Sequence, residues 1–158
     1  MTQEDRELLL KDLCTRLPYG TIILHEGWNY EWDDSISTWE RVVGMDDEFV
    51  YTKVIDTKTG EEYREDKWPI STFDDKPYLR PMSSMTKEEE NEYFLITERF
   101  YDVYTTNDTP AYTGERMVFV DDVEELIDFY NAHHFDYRGL IKKGLAIEVT
   151  PENNPYKN

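Results

Sequence analysis

The stretch Phe49-Val-Tyr-Thr-Lys-Val-Ile-Asp-Thr-Lys-Thr-Gly-Glu-Glu-Tyr-Arg64 carries the clearest structural signal in the chain. Phe49, Tyr51 and Ile55 alternate with Val50, Thr52 and Val54, and β-branched and aromatic residues at period two fit a pleated, half-buried strand. Asp56-Thr-Lys-Thr-Gly60 then reverses the chain, because Gly60 can take a left-handed backbone, and Glu61 to Arg64 returns. On the N-terminal side, Thr21-Ile-Ile-Leu-His25 and Thr38 to Val43 read as further strands, punctuated by Gly27, Asp33-Asp34 and the turn from Gly44 to Asp47. Several short strands after a helix predict a small, strongly bent antiparallel sheet or an SH3-like barrel.

That helix is Thr2 to Leu17. Thr2 can cap its first amides, Glu4 and Asp5 suit its positive end, and Leu10, Leu13, Cys14 and Leu17 recur at helical spacing. This places Cys14 on the buried face as a small hydrophobe, and Pro18 ends the helix. Beyond the hairpin, Tyr78-Leu-Arg-Pro-Met82 is extended, since a residue before proline avoids the helical region. Thr86 and Glu89 form a capping box opening a helix towards Glu98. Phe100–Tyr104 and Arg116–Val120 have strand composition around a polar turn at Thr105–Thr109. Val123, Leu126, Ile127, Tyr130 and His134 share one face of a helix started by Asp121 and Glu124. The fold class is therefore α+β: an N-terminal helix, a small antiparallel sheet and C-terminal helices packed on it, in one domain over residues 1–150. The tail at 151–158, with two prolines and three asparagines, reads as flexible.

Composition narrows the function. Apolar residues make up 39% of the 158, but aromatics make up 15%, enough for large side chains to build a core. Lys and Arg number 17 against 35 Asp and Glu, so the net charge is 17 minus 35, or −18. Such a surface repels phosphate backbones and suits a basic protein partner, so direct nucleic-acid binding is disfavoured. The single cysteine permits no internal disulfide, the N-terminus has no signal-peptide pattern and no apolar run reaches membrane-spanning length. These features point to the cytoplasm and to no membrane association. No phosphate-binding loop, dinucleotide fingerprint, zinc pattern or nucleophile elbow is present, which leans away from an enzyme and implies no cofactor.

Four places could still carry chemistry. His133 and His134 with Asp136 could contribute to a metal site, but adjacent helical positions point about 100° apart, so one ion could not easily take both. Asp136-Tyr-Arg-Gly139 offers a local ion pair, or Arg138 as an anion anchor beside Tyr137. Lys76 to Thr86, with Tyr78 and Arg80, is a stiff crossing or a peptide-binding edge. Trp28, Tyr30, Trp32 and Trp39 form a near-alternating aromatic face. The candidate binding residues are thus Tyr78, Arg80, His133, His134, Asp136, Tyr137 and Arg138, with no catalytic or metal assignment.

Three segments also carry a resemblance: Lys11 to Gly20 around Leu17-Pro-Tyr-Gly20, Lys76-Pro-Tyr-Leu-Arg-Pro-Met-Ser-Ser-Met-Thr86, and Asn131-Ala-His-His-Phe-Asp-Tyr-Arg-Gly-Leu-Ile141. Together they resemble a family of short uncharacterised proteins from Bacteroides and related gut bacteria, their prophages and phages. The resemblance implies a cytoplasmic protein of mobile-element or phage origin and brings no activity with it. The leading expectation is a small acidic, non-enzymatic protein-interaction module with its patch near Tyr78 and Tyr137. The alternatives are a metal-dependent hydrolase using His133, His134 and Asp136, and an acidic mimic of nucleic acid.

Overall fold

The computed structural model describes residues 1–29, 34–98 and 120–157. Helix α1 spans Gln3–Arg16, and the Thr2 hydroxyl and Asp5 carboxylate close a reciprocal capping box at its start. Its inward face is Leu9, Asp12, Leu13 and Arg16, not the stripe expected from the leucines alone. Cys14 is exposed, which corrects its expected burial; Asp12 and Arg16 neutralise each other and turn inward, rotating Cys14 outward.

Among the described residues six strands follow: β1 Ile22–Asn29, β2 Asp34–Met45, β3 Phe49–Ile55, β4 Glu62–Pro69, β5 Lys76–Leu79 and, near the C-terminus, β6 Ile147–Glu148. Their order in the sheet is β4-β3-β2-β1-β5-β6. The first four form an antiparallel meander, and β5 adds to β1 antiparallel. The β3–β4 reversal uses the expected chemistry: the Asp56 carboxylate accepts the amides of Lys58 and Thr59, and Gly60 sits at φ +73°. Register shifts at Val42/Gly44 and Val54/Ile55 interrupt the ladders.

The sheet stays open, so the barrel alternative is corrected. Closure needs the two edges to pair, and here β4 and β6 lie at opposite ends of the order. The chain instead extends the sheet with β6, which runs parallel to β5. A parallel neighbour requires a long crossover, and the described residues between β5 and β6 include two further α-helices.

One face of the sheet presents Ile23, Val42 and Val50 to Leu9, Leu13 and Phe73; the other gathers Ile22, Ile55 and Tyr78 with Trp39, Ile147, Val149 and Tyr156. Burying each such aliphatic side chain is worth about 1.5–3 kcal/mol. Helix α2, Lys87–Glu98, begins at the Thr86–Glu89 capping box, and helix α3 spans Val120–Ala132. The two run antiparallel: His133 beyond the end of α3 meets Glu89 early in α2, while Tyr93 packs on Phe129 and Tyr130.

Tyr156 folds back onto the sheet. The Tyr156 hydroxyl accepts from the Ile22 amide at 3.2 Å and donates to the Tyr78 carbonyl at 2.8 Å, filling a gap where β1 and β5 no longer pair. The strand and turn expected between Phe100 and Thr109 lie outside the described residues, as do Tyr30, Trp32 and all of the strand expected at Arg116–Val120 except Val120, which begins α3.

Candidate functional site

Where α3 ends, the backbone of His134 turns left-handed at φ +56°. The His134 amide then donates to the Asn131 carbonyl and the Phe135 amide to the Tyr130 carbonyl, the paired bonds of a Schellman ending. Glycine normally holds that position. Here the His134 ring stacks on Tyr156 with centroids 3.7 Å apart, a contact that offsets the backbone strain. Burial, with Arg16 and Arg80 nearby, pushes the imidazole down to about 3, so it stays neutral. The exit from this turn is stitched to β5, since the Arg80 amide donates to the His134 carbonyl and the Asp136 amide to the Arg80 carbonyl.

The seven candidate residues then fall into separate groups. Arg80 makes a bidentate pair with Glu89 at 2.6 and 2.8 Å, and His133 Nδ1 lies 3.0 Å from the same carboxylate. Arg80 holds the Glu89 carboxyl down at about 2. Asp136 accepts the amides of Leu140 and Ile141 at 2.7 and 2.9 Å; it caps a turn and does not pair with Arg138 as its spacing suggested. Arg138 reaches Asp12 instead, at 3.1 Å, and that carboxylate already binds Arg16 at 2.6 Å. Tyr137 stacks on Tyr130 and lies beneath the guanidinium groups of Arg16 and Arg138. Tyr78 is buried, its hydroxyl accepting from the Trp39 indole at 3.1 Å, so no patch opens there. His133, His134 and Asp136 thus have three different sets of partners. Among the described residues no three His, Cys, Asp or Glu side chains group to hold a metal.

Two other arrangements lie outside the seven candidate residues. On the sheet face beside the α1 contact, His25 Nδ1 lies 3.0 and 3.1 Å from the two oxygens of Asp75, and its ring stacks on Trp68 at 3.9 Å. Trp68 donates its indole N–H to the buried Glu40, which also accepts from Thr38 and Thr52. Burial opposes the charge on His25, but the Asp75 hydrogen bond, with Glu40 and Asp66 near, holds the imidazole above its ordinary range. Burial also raises the Asp75 carboxyl, partly offset by His25. Gly27 makes room for this ring, as a Cβ there would stand 2.8 Å from His25 Nε2. A carboxylate that fixes one imidazole nitrogen is the orienting half of a general base, and Thr38 and Thr52, the nearby hydroxyls, are spent on Glu40.

The second arrangement is the outer side of α2. Phe94 and Leu95 are 60% and 61% exposed, while their neighbours Tyr93 and Ile96 turn inward onto α3. Glu88, Glu90, Glu92 and Glu98 are exposed around them. The signal was present as the bunched Tyr93-Phe-Leu-Ile96: four consecutive apolar residues cannot all face inward on one helix.

No family model, curated protein or solved structure matches the chain. Among the described residues no helix is long and apolar enough to cross a membrane.

Proposed function

We propose that this protein is a small acidic, non-enzymatic interaction module that docks another protein on the outer face of α2. The observation that carries this reading is the adjacent pair Phe94 and Leu95, each about three-fifths exposed. Single exposed apolar residues are ordinary, whereas an aromatic and an aliphatic side by side on a helix held from behind supply the anchor that protein partners bury. The polar groups from Arg80 to Arg138 brace the C-terminal segment against α1, β5 and α2 and so support that helix. The reading places the protein in the cytoplasm, in keeping with its single cysteine, and the family resemblance adds an origin on a mobile element or phage.

The test compares the wild-type chain with a Phe94→Ser/Leu95→Ser variant as bait in an extract of a Bacteroides host. The expected result is a defined protein retained by the wild type and lost by the variant, with both baits unfolding at the same denaturant concentration. Retention of that protein by a folded variant, or no specific protein on either bait, contradicts the proposal.

A further inference from the structure

We infer that the segment docking on α2 is a basic amphipathic helix of the partner protein, an inference that rests on the interaction reading above. Helix α2 has the sequence Lys87-Glu-Glu-Glu-Asn-Glu-Tyr-Phe-Leu-Ile-Thr-Glu98, with five glutamates and one lysine. Glu89 is turned inward to Arg80, and Lys87 is already paired with Glu90 at 2.6 Å. Residues three and four apart on a helix are surface neighbours, so within α2 Leu95 is flanked by Asn91, Glu92 and Glu98, and Phe94 by Glu90, Asn91, Thr97 and Glu98; Glu92 also lies 3.6 Å from His133 Nε2. The apolar pair therefore sits inside a frame of carboxylates.

Such a frame selects its occupant by charge. A helix that lays aliphatic side chains over Phe94 and Leu95 and carries Lys or Arg along its flanks gains apolar burial and several ion pairs together. An acidic segment meets like charge around the same anchor. A second copy of this chain meets it too, because stacking two α2 faces sets glutamate against glutamate. The net charge of −18 extends the same preference to long range and speeds encounter with a basic partner at low salt.

The test uses the full chain and three synthetic peptides about 18 residues long, enough for roughly five helical turns. One places leucine at helical spacing among lysines; the second replaces its lysines by glutamate; the third keeps the lysines and replaces its leucines by serine. Calorimetry and backbone-amide shift mapping are expected to show the lysine–leucine peptide binding at least about tenfold tighter than either control, with shifts on residues 88–98. Added salt and the Phe94→Ser/Leu95→Ser change should each weaken it by a similar factor. Equal binding of the serine control, shifts centred elsewhere on the acidic surface, or self-association of the chain in place of peptide binding would overturn the inference. If the peptides fail while Phe94→Ser/Leu95→Ser still abolishes capture of a host protein, the partner class is wrong and the docking face stands. If both fail, the interaction reading falls as well.

Discussion

At the scale of single residues, two side chains do work that their type alone does not announce. The Tyr156 hydroxyl replaces a missing rung between β1 and β5, so Tyr156→Phe leaves the Ile22 amide and the Tyr78 carbonyl without that partner. The expected cost is about 1–3 kcal/mol, read as a lower urea midpoint with an unchanged slope. Glu89 collects Arg80, His133 and the Thr86 amide. Its carboxyl lies at about 2 when folded against an ordinary 4.5, so its stabilisation is complete above 4.5 and disappears as pH falls from there towards 2. Glu89→Gln should cost roughly 1–3 kcal/mol at neutral pH, and its difference from wild type should shrink through that window in acid unfolding curves. A constant difference across the window would show that the Arg80 pair is not what Glu89 contributes.

At the scale of elements, the ends and turns decide more than the strands and helices themselves. The loop after Gly139 closes with the same paired bonds as α3, from the Gly144 amide to Ile141 and the Leu145 amide to Leu140, with Gly144 at φ +70° in open space. Gly144→Ala therefore has no clash to confound it, and the left-handed backbone alone should cost about 1–2 kcal/mol in equilibrium unfolding. These local devices explain what could be read in advance. The Thr2 and Thr86 caps and the Asp56–Gly60 reversal use residues within a few positions of one another, so the sequence displays them directly. The inward face of α1 could not be read in the same way. Leucine spacing points towards Leu10 and Cys14, whereas the face is set by Asp12 and Arg16, whose distant partners, Arg138 for Asp12 and the Phe135 carbonyl for Arg16, lie more than a hundred positions away. Asp75 is likewise explained only by His25, some fifty positions earlier. The exposed pair Phe94 and Leu95 was half legible: the bunching of apolar residues in α2 was plain, but which of them faces outward depends on how α3 packs.

At the scale of the molecule, the fold is an open sheet whose last strand is delivered by the C-terminal return, locked to the first helix by a buried charge knot. Asp12 and Arg16 are fully buried, and Arg138 completes a group of two cations and one anion. Asp12→Ala leaves two guanidinium groups facing each other without their carboxylate, at an expected cost of about 3–5 kcal/mol, a large share of the roughly 5–15 kcal/mol available to a domain. Sequence motifs concentrate at that knot, whose contacts are those of a structural brace, whereas the proposed docking face lies on α2. The direct test sets Arg138→Gln beside Phe94→Ser/Leu95→Ser, following unfolding midpoint and capture of host protein for both. The account predicts that Arg138→Gln lowers the midpoint and keeps the partner, and that Phe94→Ser/Leu95→Ser keeps the midpoint and loses it. Loss of the partner by a folded Arg138→Gln, with capture intact in the α2 variant, would contradict it.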